Sequence, residues 1–226
     1  MANLTRGKNF EKMKSHILHI VAKRFLKSGY HATTLREVAK EAGVSYSSLI
    51  NIFGTKEGLL TELVGLVLEY QFERASALVA GKCDDKIFLY ATEAVMQLYM
   101  AESSEHMREM YAISYSLSES SRVIYKTVTE KLEGIFKRQL PELSTSDFYE
   151  LELAAAGIMR NYMLTPCDMY FTMEAKVRAF LRMTLRLYLV TEEKIDEVTA
   201  FVLGIDFGKI AAETLDGLFE YLKKRT

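Results

Sequence analysis

The 226-residue chain is 49% hydrophobic and 26% charged with only 2 prolines, which excludes a disordered or collagen-like polypeptide and permits long uninterrupted helices. No apolar run reaches the roughly 18 residues of a membrane span, and the polar start MANLTRGKNFEKMKSH lacks a signal peptide's apolar core, so a soluble cytoplasmic protein with no membrane partner is expected. The net charge of −1 conceals an asymmetry: residues 1–60 hold ten bases and four acids, net +6, leaving nineteen bases and twenty-six acids, net −7, for the rest, as in a polyanion-binding head on an acidic body.

In chain order, Met13, Ile17, Val21 and Phe25 recur every fourth residue and predict a first helix over about Asn9 to Ser28, stopped by Gly29. Thr34 and Glu37 have the spacing of a capping box, in which each satisfies an amide of the other's segment. They open a short second helix ending near Ala42. Gly43 supplies a tight turn, Ser45 caps a third helix to about Ile52, and Thr55 with Glu57 starts a long fourth from Lys56 to about Val79. Two short helices around a glycine turn, behind a supporting helix, form a helix-turn-helix, a pattern also met in ordinary helical bundles.

Beyond GKCDD, Asp84 is expected to cap a helix through about Ala101, and ESSEH to begin one to about Leu117. SESS precedes another ending near Leu140 before Pro141. LSTSD opens a helix to about Leu164, and Asp168 opens the next, to about Val190. From Thr191 onward two more helices are expected, divided between Gly204 and Gly208. Nothing alternates like a strand, so the fold class is all-α: a three-helix N-terminal unit over residues 1–58 and a larger helical domain over 59–226. Cys83 and Cys167 lie in no CxxC or Cys/His pattern, so buried thiols are expected, with no disulfide, metal or cofactor. No histidine is spaced against a nucleophile, His106 reads as a surface residue, and catalysis is not suggested.

The stretch ATTLREVAKEAGVSYSSLINIFGTKEGLL, behind ILHIVAKRFLKSGY, resembles the N-terminal domain of the TetR family of transcriptional regulators. The resemblance implies a homodimer that binds double-stranded DNA through the helix-turn-helix and a small-molecule effector through the body. Carried over by position, Thr34 and Lys56 would hold phosphates at two helix starts, Arg36 would reach a base edge or a phosphate, and Ser45, Tyr46, Ser47, Ser48 and Asn51 would face the groove. Three positions depart from the family pattern: Ser47 stands where a glycine-like residue is usual, Ile50 where tyrosine is, and Ile52 where tyrosine or histidine is. Neither isoleucine donates a hydrogen bond, so weaker phosphate binding is expected, offset by an N-terminal arm bearing Arg6, Lys8, Lys12 and Lys14.

Nine of the 11 methionines lie between Met96 and Met183. With the neighbouring tyrosines they suggest a pocket for an apolar or aromatic effector, lined by Met96, Tyr99, Met100, Tyr111, Tyr115, Tyr125, Met159, Tyr162 and Met163; ordinary core packing explains the same composition. LELAAAGIMRNYML, with small residues for close approach, and FLRMTLRLYLV, apolar over much of its circumference, are the expected dimer helices. The reading is a homodimeric repressor released from a pseudo-palindromic operator by its effector. A helical interaction protein that keeps the head fold but binds a protein partner, and an enzyme, stand as the alternatives.

Overall fold

A computed structural model describes residues 2–224, with side chains from residue 9 onward. It contains eleven helices, α1 (Ala2–Ser28), α2 (Leu35–Glu41), α3 (Tyr46–Phe53), α4 (Lys56–Val79), α5 (Ile87–Glu102), α6 (Glu105–Ser114), α7 (Ser118–Phe136), α8 (Thr145–Leu164), α9 (Met173–Leu187), α10 (Glu192–Leu203) and α11 (Phe207–Lys224). Among the described residues there is no strand. The segment read as an arm ahead of the first helix belongs to α1, whose backbone is helical from Ala2. The Arg6 and Lys8 side chains lie outside the described residues.

The three-helix head closes around Ile17, Val21 and Phe25 of α1, Val38 and Ala39 of α2, and Leu49 and Phe53 of α3, all buried. Burial of a side chain such as Leu49 or Phe53 contributes about 1.5–3 kcal/mol each, and that holds a helix as short as α3 in place. Gly43 turns the chain between α2 and α3 with φ of 67°, a left-handed conformation that costs glycine little. Gly58, in the first turn of α4, lies against the Phe53 carbonyl so closely that any side chain there would overlap it.

In the body, α5 is the central helix: thirteen of its sixteen residues are buried, with α4, α6, α7, α8, α9, α10 and α11 packed around it. This is the helix that is buried nearly all round. FLRMTLRLYLV, expected in that role, is instead two-faced in α9. Val177, Phe180, Leu181 and Leu185 point inward while Arg178, Arg182 and Arg186, four residues apart, stay exposed. The start of α9 also differs from expectation. Asp168 accepts from the Tyr170 and Phe171 amides at 2.8 Å each, making a local turn rather than a cap. The cap is Thr172, whose hydroxyl accepts from the Ala175 amide at 3.2 Å. Cys83 and Cys167 are free and half-buried rather than buried, because they sit in the α4–α5 and α8–α9 connections and not in the core.

Two joints fix the head on the body. At α6, the His31 amide donates to Glu109 Oε1 at 3.1 Å and the His106 ring Nδ1 meets the Leu26 carbonyl at 3.1 Å; His106 is thus half-buried in a domain joint, not a surface residue. At α11, Ser15 donates to the Leu222 carbonyl at 3.0 Å and the His19 ring packs edge-on against Phe219. The fourth helix runs unbroken from the head into the body.

Candidate nucleic-acid interface

On α3 the 3.6-residue period sends Leu49 and Phe53 inward and leaves Tyr46, Ser47 and Asn51 exposed. These three side chains, with Arg36 from α2, form the outward face. The Arg36 guanidinium lies 6.0 Å from the Tyr46 ring centre, a distance at which a cation is attracted to the ring face. The pair steers Arg36 toward the start of α3. Asn51 has the two-ended amide that pairs with adenine, Arg36 the fork that pairs with guanine, and a major groove admits a helix of this width.

The other predicted contacts are already engaged. Ser45 is the N-cap of α3: its hydroxyl accepts from the Ser48 amide at 3.0 Å and lies 2.9 Å and 2.8 Å from the Ser47 and Ser48 hydroxyls. Ser45 and Ser48 therefore build the helix start, and Ser48 is half-buried. Thr34 and Glu37 form the capping box, with the Thr34 amide donating to Glu37 at 3.0 Å and the Glu37 amide to the Thr34 hydroxyl at 3.3 Å. The Thr34 hydroxyl also donates to the Glu37 carboxylate at 2.8 Å and, with its amide, holds that carboxyl below the usual range. A phosphate at this helix start shares its donors with a carboxylate.

Lys56 is half-buried. Its ammonium donates to the His31 carbonyl at 3.3 Å and sits 4.3 Å from the Tyr30 ring centre. Burial pulls its pKa down, opposed by Glu109. Its charge thus stands at the α6 joint, where a change of body conformation is felt. Ile50 and Ile52 are partly buried against the core; they complete the apolar flank of α3. Of the two lysines of the proposed arm with described side chains, Lys14 is half-buried and paired with Glu62 at 2.8 Å, and Lys12 is exposed.

Behind the head lies a cavity of about 70 Å³, lined by apolar side chains of α1, α4, α6 and α11 together with Met100, Tyr111 and Tyr115. A second, of about 20 Å³, lies between α5 and α8 and includes Tyr115 and Met159. These four residues are the members of the sequence-derived set that line a cavity. Met96 is fully buried beside Thr214, and Met163 packs in the core. Tyr99 stacks on Phe207, Tyr125 meets Tyr149, and Tyr162 lies between Phe171 and Phe180. The cavity residues missed from sequence include apolar ones such as Phe25, Leu63, Met107 and Met110, and the polar Gln71 and Gln97 with two buried acids, Glu93 and Glu152. One signal was present, since Glu93 is the single charge in IFLYATEAVMQLYMA.

A capped reading helix on a basic head, joined to a cavity-bearing helical body, defines a helix-turn-helix DNA-binding protein. Residues 17–63 match the family described as bacterial regulatory proteins, tetR family. Over 166 residues the chain is 29% identical to the HTH-type transcriptional regulator YxaF of Bacillus subtilis (strain 168), spanning 71% of this chain and 83% of that protein. It is 31% identical over 105 residues to the HTH-type transcriptional repressor KstR2 of Rhodococcus jostii (strain RHA1), spanning 46% of this chain and 50% of that one. A solved TetR-family transcriptional regulator from Streptomyces coelicolor shares the fold, with TM-score 0.54 and 22% identity over 76% of this chain and 99% of that chain. Residues 17–63 carry the DNA-binding domain of the TetR family, and the chain is a DNA-binding regulator similar to that family's members. That assignment disfavours the protein-binding alternative.

Proposed function

We propose that the chain is a homodimeric cytoplasmic repressor that occupies a pseudo-palindromic operator and is released by a small apolar or aromatic effector. Residues 1–58 form the reading head and 59–226 the effector and dimer domain. Arg36, Tyr46, Ser47 and Asn51 face the bases, with Thr34 and Lys56 holding flanking phosphates. KstR2, a similar protein, is a repressor by name. The observation that carries the reading is the place of the larger cavity, between α1 and α4 on one side and α6 and α11 on the other. A ligand there favours whichever head orientation leaves it more room, and it shifts the equilibrium by its difference in affinity for the two states. Dimerisation is assigned to α8 and α9, where Tyr149, Leu153, Leu164 and Met183 are exposed.

Selection from a random DNA pool tests the reading. A pseudo-palindrome is expected, its half-sites about 34–36 Å apart or a multiple of that; a pool without an enriched palindrome would remove the dimeric operator reading. A second prediction concerns the isoleucines. Ile52→His, or Ile50→Tyr, adds a donor on the flank of α3 and is expected to tighten operator binding with sequence preference unchanged; the neutral tyrosine leaves the salt slope as it was, and histidine steepens it by up to about one counterion as it takes up a proton. Fluorescence anisotropy across a salt series checks it, and weaker binding from both variants would assign the apolar flank a contact of its own.

A further inference from the structure

A carboxylate buried without a cation is costly, so such a group either keeps its proton or meets a partner. Glu93 on α5 and Glu152 on α8 are 5% and 3% exposed and face the same small cavity. Burial pushes both up, Glu93 to about 7, and no lysine, arginine or histidine offsets either. Glu93 accepts from the Gln97 amide at 2.5 Å. The Glu152 carboxylate, among the described residues, accepts no hydrogen bond. Tyr90, Tyr115 and Phe180 complete the wall, and ring faces of this kind attract cations.

Gln97 and Tyr115 line both cavities, and the Tyr115 hydroxyl donates to Gln97 Oε1 at 3.3 Å. The two spaces are neighbours divided by this one hydrogen-bonded pair. On the apolar side Gln71 is fully buried, its amide end 2.5 Å from the Tyr111 hydroxyl. The Glu152 carboxylate is an acceptor, so an occupant that satisfies it brings N–H donors.

We propose that the two spaces together bind one amphipathic monocation, its apolar or aromatic body in the larger cavity and a protonated amine between Glu93 and Glu152. This names the chemical class of the effector and rests on the reading of the chain as an effector-released DNA binder. One acid ionises against the ammonium while the other keeps its proton, so the buried charge balances. A cavity of about 150 Å³ holds benzene, and neither space, at about 70 and 20 Å³, reaches that size. Binding therefore opens the Gln97–Tyr115 pair and widens the gap between α4 and α6, against which the head is seated.

The test is calorimetric titration near neutral pH with arylalkylamines from benzylamine to phenylbutylamine, each beside the neutral alkylbenzene and the carboxylate of equal length. At least one amine is expected to bind about tenfold or more tighter than both counterparts. The preference is expected to vanish in the double variant Glu93→Gln with Glu152→Gln, whose fold is checked by thermal melting, while any binding of the alkylbenzene persists. Absence of binding by every amine, or a preference that survives the double substitution, would overturn the cation site. Operator release separates the two readings. An amine that binds through the two acids without releasing DNA removes the effector role and keeps the site. Release by the alkylbenzenes, with no amine preference, keeps the effector role and removes the site.

Discussion

Leu153→Arg is expected to leave the chain folded but monomeric at micromolar concentration, and to weaken operator binding by about 10²–10⁴-fold, the range over which linking two binding modules raises avidity. Leu153 is 43% exposed and shares one stripe of α8 with Tyr149, 38% exposed, and Leu164, 40% exposed. Gly157, on the same side, has open space where a side chain would stand, so a second backbone can approach closely. An apolar patch of this kind on a helical body marks an interface, and in a two-fold interface the same patch meets itself. Arginine there faces its own symmetry mate, which puts like charges together in the middle of the patch. Light scattering reads the mass, and anisotropy with a full and a half operator reads the affinity. A variant that remains dimeric and binds as tightly as the parent would place the interface on other helices. Leu153→Met, which keeps the apolar surface, is expected to change neither quantity.

The helices were largely legible in the sequence because their ends carry local chemistry. Thr55 caps α4 through the Gly58 amide at 2.9 Å, and the helix spans Lys56–Val79 as its caps and period predict. The division of the last stretch at Leu203 and Phe207 follows its glycines in the same way. Asp168 misled because an aspartate before a helix can serve a turn or a cap, and the choice depends on the backbone that follows it. The outward face of α3 was legible as far as period decides it, with Tyr46, Ser47 and Asn51 exposed. What period does not encode is a side chain's prior engagement: Ser45 and Ser48 build the helix start, and Lys56 already gives one of its three donors to the His31 carbonyl. Of the proposed pocket, Met100, Tyr111, Tyr115 and Met159 line one or both of the two cavities, and Met96, Tyr99, Tyr125, Tyr162 and Met163 line neither of them. Residue type suits a cavity wall and a packed core equally; only the crossing of α4, α5, α6 and α11 decides which.

The two buried acids also set how stability follows pH. Glu93 ionises at 4.5 in an unfolded chain and at about 7 in the folded one, raised by burial and partly opposed by the Gln97 hydrogen bond. Between those values the folded state holds a proton that the unfolded state has lost, so the stabilisation is complete below 4.5 and is lost as pH rises through 7. At about 1.4 kcal/mol per unit, this amounts to roughly 3 kcal/mol between acid and slightly alkaline solution. Glu152 acts with the same sign, since its carboxyl is raised by burial and then by Glu93. The remaining polar groups of that cavity wall, Tyr90 and Tyr115, are pushed up by burial and stay neutral throughout. Glu93→Gln keeps the shape and a hydrogen-bonding end, and it removes the charge. The variant is therefore expected to match the parent near pH 4.5, to exceed it by about 3 kcal/mol near pH 8, and to show a shallower fall in between. Part of the gain arises at Glu152, which ionises more easily once its neighbour is neutral. Urea unfolding at unit steps from pH 5 to pH 8 measures this. A Glu93→Gln protein less stable than the parent at pH 8, or with the same slope, would mean that Glu93 is ionised and compensated in the fold, and the body would then have no unmet negative charge for an effector to neutralise.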